Sequence, residues 1–143
     1  MLIRREDAIS LHDIEHIQRS LVDVHPPEVG VRDIVKVAFI ARDDEGLLLG
    51  GVLAVIAWHW LHVHTLSVDR VARGAGIGHR LLADLEAFAI AEGCTHARVD
   101  TFDFGARTFY ERVGYSVYGA LKGFPAGHTQ FHLSKVLDAP AAG

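Results

Sequence analysis

The apolar positions change their period several times along the chain. Residues 36–42 (KVAFIAR), 47–60 (LLLGGVLAVIAWHW), 61–68 (LHVHTLSV), 95–102 (THARVDTF), 115–121 (YSVYGAL) and 129–137 (TQFHLSKVL) are short apolar runs bounded by turn residues, and read as strands. MLIRRE at the start reads as one more. DDEG (43–46) and KGFPAG (122–127) are hairpin links. Three stretches carry helical spacing instead. Leu11, Ile14, Ile17 and Leu21 follow a Ser10–Asp13 capping box, and HPPEVG (25–30) breaks that helix, with one helical turn expected near 31–34. Ile77, Leu81, Leu85 and Phe88 form one stripe over 77–92, with Gly93 as its stop; Ala106, Phe109, Tyr110 and Val113 form another, stopped by Gly114. The order β-α-β-β-β-α-β-α-β-β predicts a single α/β (α+β) domain over 1–138, a mixed sheet of about seven strands with helices on its faces, and a frayed tail at 139–143.

Composition narrows the function. With 143 residues, half of them hydrophobic, the chain suits one domain with a real core. A net charge of −4 argues against nucleic acid as partner and slightly favours cationic small molecules. The lone Cys94 excludes an intrachain disulfide and suits a small buried position. No leader-like apolar region or membrane-length run occurs, so a cytoplasmic protein with no membrane partner is expected.

RVARGAGIGHRLL (70–82) places Gly74, Gly76 and Gly78 between a strand and the best helix. Such a turn gathers unsatisfied N–H groups at the positive end of a helix dipole, which makes an anion site, and Arg73 adds a charge. A nucleotide-hydrolase loop is excluded because no Gly-Lys-Ser/Thr follows. A dinucleotide loop gains from Asp100 at the end of the next strand. It loses because GAGIGH is not G-x-G-x-x-G and the N-terminal half is a meander. Glycines serving packing alone would need neither their number nor the arginine.

LSVDRVARGAGIGHRLLADLEAFAIAEG (66–93) resembles motif A of the GNAT N-acetyltransferases, Q/R-x-x-G-x-G/A, with Arg73, Gly76 and Gly78 in place. FDFGARTFYERVGY (102–115) resembles their motif B, and the element order matches over almost the whole chain. The resemblance implies a mostly antiparallel sheet with helices on both faces and a splayed central strand pair at an acetyl-CoA site. It places the pyrophosphate at the backbone of Arg73, Gly74, Ala75, Gly76, Ile77, Gly78 and His79. Leu66, Ser67 and Val68 would line the pantetheine chain, with the Leu66 N–H polarising the thioester carbonyl. Asp103, Ala106, Phe109 and Tyr110 would complete the cofactor site, Asp103 departing from the family's usual Asn.

Tyr110 falls on the general-acid position, although it shares an apolar face with Phe109 and Val113. For the general base, His62 falls where the histone-modifying branch has glutamate; His64 lies two residues on and competes with it. Asp100 and His128 are further candidates beside the acceptor. A histidine base predicts a rising pH limb at roughly 6–7.5. The expected activity is transfer of acetyl from acetyl-CoA, as co-substrate, to the primary amine of a small molecule by direct attack in a ternary complex. Acetylation of a protein or peptide, or a non-catalytic acyl-CoA sensor, are the alternatives. The short segment at 23–35 implies an open cleft. No metal is expected, since His59 alternates away from His62 and His64. A homodimer is the oligomeric state the resemblance allows.

Overall fold

Ser10 starts the first helix, α1 (Leu11–Val22), as predicted: its hydroxyl accepts the Asp13 N–H at 3.1 Å. The computed structural model describes residues 1–30 and 33–137, in two compact units, residues 1–31 and 32–143. In the first unit MLIRRE forms no strand. Leu2 and Ile3 are exposed, and Arg4–Glu6 and Arg5–Asp7 pair locally. Three apolar side chains followed at once by three charged ones offer too little to bury as an edge strand. The breaker forms a 3-10 turn at Pro27–Val29; the turn expected near 31–34 falls partly, and the tail at 139–143 wholly, outside the described residues.

The second unit holds one six-stranded sheet, against about seven strands expected. Its strands are β1 (Val35–Arg42), β2 (Leu48–Ala57), β3 (Trp60–Val68), β4 (His96–Phe102), β5 (Ser116–Lys122) and β6 (Thr129–Val136), in the order β1-β2-β3-β4-β6-β5. Every neighbouring pair is antiparallel except β3–β4. The DDEG link is fixed by the Asp43 carboxylate, which accepts the N–H groups of Glu45 at 2.9 Å and Leu47 at 2.8 Å. The strand expected over 47–60 ends at Ala57, and the next begins at Trp60 rather than Leu61. Ala57 pairs with Trp60 across a two-residue turn in which Trp58 (φ 49°) and His59 (φ 63°) are both left-handed. His59 is held there by its Nδ1–H to Gly93 O at 3.0 Å, and its own carbonyl accepts Thr95 N–H at 2.8 Å.

α2 (Ile77–Ala91) lies against β1, β2 and β3, and α3 (Arg107–Arg112) follows β4. The core is the sheet face bearing Val52, Leu61, Val63, Val99 and Leu133, met by Leu81, Leu82, Leu85 and Ala89 of α2. Each fully buried leucine contributes about 1.5–3 kcal/mol. Cys94 is buried in the same cluster, and its thiol is pushed up by that burial.

Two irregularities shape the free edge of β3. Leu53 pairs with Thr65 but Ala54 pairs with Val63, so His64 is an extra residue bulged out of the strand. The bulge shifts the alternation, so that half-buried Leu66 and Val68 continue the core face begun by Leu61 and Val63. The parallel β3–β4 pairing, in turn, runs only from Trp60↔His96 to Val63↔Val99. Beyond Val63 the two strands fork.

Candidate functional site

The fork leaves one edge of β3 without a strand partner. Asp69 donates its N–H to Leu49 O at 2.8 Å. Bonded residues alternate along an antiparallel ladder, so Ser67 also faces β2, while Leu66 and Val68 turn their N–H and C=O groups toward the fork. The end of that edge is tied to the glycine loop: Arg73 Nε donates to Val68 O at 3.0 Å.

The loop continues the edge into a helix N-terminus. Gly76 is the N-cap of α2 at φ 76° and Gly74 sits at φ 88°, both left-handed, which glycine adopts without strain. No side chain caps α2, and Arg80 is the first residue to bond back, to Gly76 O at 3.1 Å. The N–H groups of Ile77, Gly78 and His79 therefore lack intrahelical acceptors. They open on a cleft of about 330 Å³ that Val68, Arg73, Gly74, Gly76, Gly78 and Phe109 help to line. His79 packs edge-on against Phe109 at 4.8 Å.

Tyr110 of α3 is 4% exposed, against Phe109 and Tyr115. Burial pushes its phenol up to about 12, so it stays protonated near neutral pH. Its hydroxyl makes no hydrogen bond among the described residues, nor is it sealed from solvent. Ala106 N–H donates to the buried Thr101 Oγ1 at 3.1 Å, which anchors the start of α3. Asp103 and His128, expected at different parts of the site, form one pair: His128 Nδ1 lies 2.9 Å from Asp103 Oδ1, and Thr129 N–H donates to Oδ2 at 3.1 Å. Desolvation is the largest single influence on Asp103 and works upward, but the bonds from His128 and the backbone, with the His128 charge, together outweigh it and hold the carboxyl below its ordinary value. With both oxygens engaged, Asp103 pins the start of β6.

The face of the sheet opposite α2 carries the remaining candidates. His62 pairs in register with Arg98, and Asp100 with His132. Arg98 Nη2 donates to His62 Nδ1 at 3.1 Å, His64 Nε2 lies 3.1 Å from the same nitrogen, and His62 Nε2 is 4.0 Å from Asp100 Oδ2. Burial first, then Arg98 and His64, lower His62 to about 4 against an upward pull from Asp100. That is well under the 6–7.5 limb expected of a histidine base here. His132 Nδ1 donates to Asp100 Oδ1 at 2.6 Å. Beside this group lies a pocket of about 730 Å³ with Trp58, Trp60 and Tyr118 as aromatic walls and His62, His64 and Arg98 as polar ones. His59 points instead to Gly93, and among the described residues no three His, Cys, Asp or Glu side chains are arranged to hold a metal ion.

Two groups escaped the sequence reading. His132 left no local signal, because its link to Asp100 depends on a register 32 residues apart. Glu86 is the other: it accepts the Tyr115 hydroxyl at 2.9 Å and Lys135 Nζ at 2.7 Å, which fastens α2 to β6.

Residues 11–115 match the model of the acetyltransferase (GNAT) family. A blasticidin-S acetyltransferase of Streptomyces morookaense is 43% identical over 112 residues, 78% of this chain and 82% of that protein. The crystal structure of an acetyltransferase from Bacillus cereus superposes with a TM-score of 0.81 at 29% identity, covering 94% of this chain and 98% of that one. An aminoglycoside 6'-N-acetyltransferase solved with coenzyme A shares the fold, at a TM-score of 0.66 and 19% identity over 92% of this chain and 83% of its own.

Proposed function

Because the chain belongs to the acetyltransferase (GNAT) family, we propose that it moves the acetyl group of acetyl-CoA to the primary amine of a small molecule, by direct attack in a ternary complex. One observation carries this reading. The unpartnered Leu66–Val68 edge runs, through the Arg73 tie, into the open N-terminus of α2. An extended pantetheine chain would add to that edge as a strand does, and its diphosphate would meet the N–H groups of 77–79. Gly78 fits such an approach, since a Cβ there would meet the side chains of Phe109 and Val68 only at ordinary contact distances of 3.7 and 3.8 Å, leaving the cleft side open.

The Leu66 N–H faces the fork where the thioester carbonyl would lie, and would stabilise the oxyanion that forms during attack. Tyr110, protonated and with an uncommitted hydroxyl, serves as proton donor to the leaving sulfur. The acceptor enters from the pocket beside Trp58, Trp60 and Arg98. The Streptomyces morookaense relative is named for blasticidin S, which makes that antibiotic the first acceptor to try.

The test is release of free thiol from acetyl-CoA with blasticidin S, simple primary amines, amino acids, aminoglycosides and a peptide with a free N-terminus. A small amine is expected to give saturable release. CoA at a hundredfold excess over Kd stabilises the fold by about 2.7 kcal/mol. Gly76→Asp, which sets a negative charge and a side chain in left-handed backbone at the cradle, is expected to lose both effects. Release with the peptide alone, or CoA binding without turnover on any amine, overturns the proposal.

A further inference from the structure

We propose that His132, held by Asp100, is the group that takes the proton from the acceptor amine. The assignment rests on acetyl transfer as the reaction, and deepens that proposal. Asp100 is the first β4 residue beyond the last parallel pair, Val63↔Val99, so it stands at the apex of the fork. That is where the unpartnered β3 edge begins and the reacting carbonyl would end. Three titratable side chains meet there: His62 from β3, Asp100 from β4 and His132 from β6.

Hydrogen bonding divides their roles. Arginine only donates, so the His62 nitrogen it meets, Nδ1, carries that ring's lone pair, and the lone pair is already engaged. A base whose lone pair faces a guanidinium is a poor one. His64 contacts the same nitrogen and has no carboxylate partner among the described residues. His132 has the opposite arrangement. A carboxylate only accepts, so the 2.6 Å contact with Asp100 Oδ1 fixes the proton on His132 Nδ1 and leaves the lone pair on Nε2. The carboxylate also stabilises the imidazolium that forms, as in other carboxylate–histidine pairs. Asp100 of β4 is in register with His132, and His62 of β3 lies 4.0 Å from the other oxygen of that carboxylate; Arg98 and Ser134 stand two residues away along β4 and β6, and the Tyr118 ring of β5 is 6.0 Å off. Among the described residues, Asp100 is the carboxylate in direct contact.

The acceptor's ammonium gives one proton to His132 Nε2, directly or through one water. The freed amine attacks the thioester carbon; the C–N bond forms, the C–S bond breaks, and its electron pair leaves on sulfur. The second proton from nitrogen reaches that sulfur by way of Tyr110, giving thiol, and His132 returns its proton to solvent. Near neutral pH one proton is released per acetyl group transferred.

The experiment measures kcat/KM against pH with whichever amine releases thiol fastest, and repeats it with a second acceptor of different amine pKa. A limb belonging to the enzyme stays in place between the two. His132→Gln is expected to lower kcat/KM about 100-fold and remove that limb, with the CoA-dependent rise in Tm unchanged. Asp100→Asn, acting by position, is expected to move the limb to lower pH. His62→Gln also lowers kcat/KM but leaves the limb in place. Imidazole ¹⁵N NMR of the free enzyme adds a reading that needs no amine: His132 is expected as the Nδ1–H tautomer, and as the other tautomer in a share of molecules once Asp100→Asn replaces a side chain that only accepts with an amide that can also donate. A limb that survives His132→Gln, or a His132 protonated on Nε2 in the wild type, overturns the assignment. A panel in which no amine releases thiol overturns acetyl transfer itself, a result distinct from either.

Discussion

Tyr110 is a core residue to which the proposed mechanism also gives a chemical role. It fills space between Phe109 and Tyr115, yet its hydroxyl has no hydrogen bond among the described residues. A phenol that bonds to no protein group and is within reach of solvent gives the fold no hydrogen bond that phenylalanine would lose. Tyr110→Phe is therefore expected to hold or slightly raise Tm and to keep CoA binding, while kcat falls about 10–100-fold, because the proton is needed when the thiolate leaves. An unchanged kcat, with chemistry shown to limit the rate, returns Tyr110 to packing alone. The glycine turn ahead of α2 and the place of Tyr110 in α3 were legible in the sequence because their signal is local: fixed spacings within a dozen residues. The Asp100–His132 and Glu86–Lys135 bonds were not, because strand register and helix placement create them. The same limit misled the expectation for His62. Its type and position suggested a base, whereas its basicity is set by burial and by Arg98 across the strand pair.

At the scale of elements, the helices and the hairpin links at 43–46 and 122–127 were read nearly to the residue, and the irregular points were not. The stripe over 77–92 became α2 (Ile77–Ala91) because a long apolar period survives tertiary context. The Trp58–His59 turn carries none of the Asn or Gly that announces a two-residue hairpin, and His59 is kept left-handed by contacts with Gly93 and Thr95. The bulge at His64 is equally silent in sequence, yet it sets the edge of β3 toward the fork. That edge is also shaped from the β2 side. A Cβ at Gly50 would stand 2.7 Å from Ser67 O and 3.0 Å from Val68 Cα, both backbone atoms that cannot swing aside. Gly50→Ala is expected to push the tip of β3 toward the fork. The overpacking costs about 1–3 kcal/mol, and KM for acetyl-CoA rises several-fold with KM for the amine little changed. Gly46→Ala is the contrasting variant: its φ of 86° brings strain, but a Cβ meets open space, so Tm falls without the KM effect. Should Gly50→Ala lower Tm and leave both KM values alone, the tip of β3 is no part of the cofactor groove.

For the whole molecule, the −4 charge proved a weak guide to the site. Arg98 is the one pocket-lining side chain charged at every ordinary pH, and the acidic excess lies elsewhere. The cluster around Arg98 nevertheless affects the stability of the entire fold. His62 titrates at about 4 in the native state, lowered first by burial and then by Arg98 and His64, against 6.5 in an unfolded chain. Between those values the unfolded state binds more protons than the native one, so stability rises with pH there. The contribution is fully present above pH 6.5 and is lost as pH falls toward 4. Its ceiling is about 3 kcal/mol, reduced by water reaching a side chain that remains 26% exposed. Asp103 acts in a separate window. Its carboxyl lies below 3.8, so its share is kept above that value and lost only in stronger acid. Urea midpoints measured from pH 7 down to 4.5 therefore isolate the histidine. Wild type is expected to lose stability steeply across that range, and His62→Gln, with nothing at 62 to protonate, to lose it more gently. Equal slopes in the two proteins would mean that the acid sensitivity belongs to another group, and that Arg98 does not hold His62 neutral.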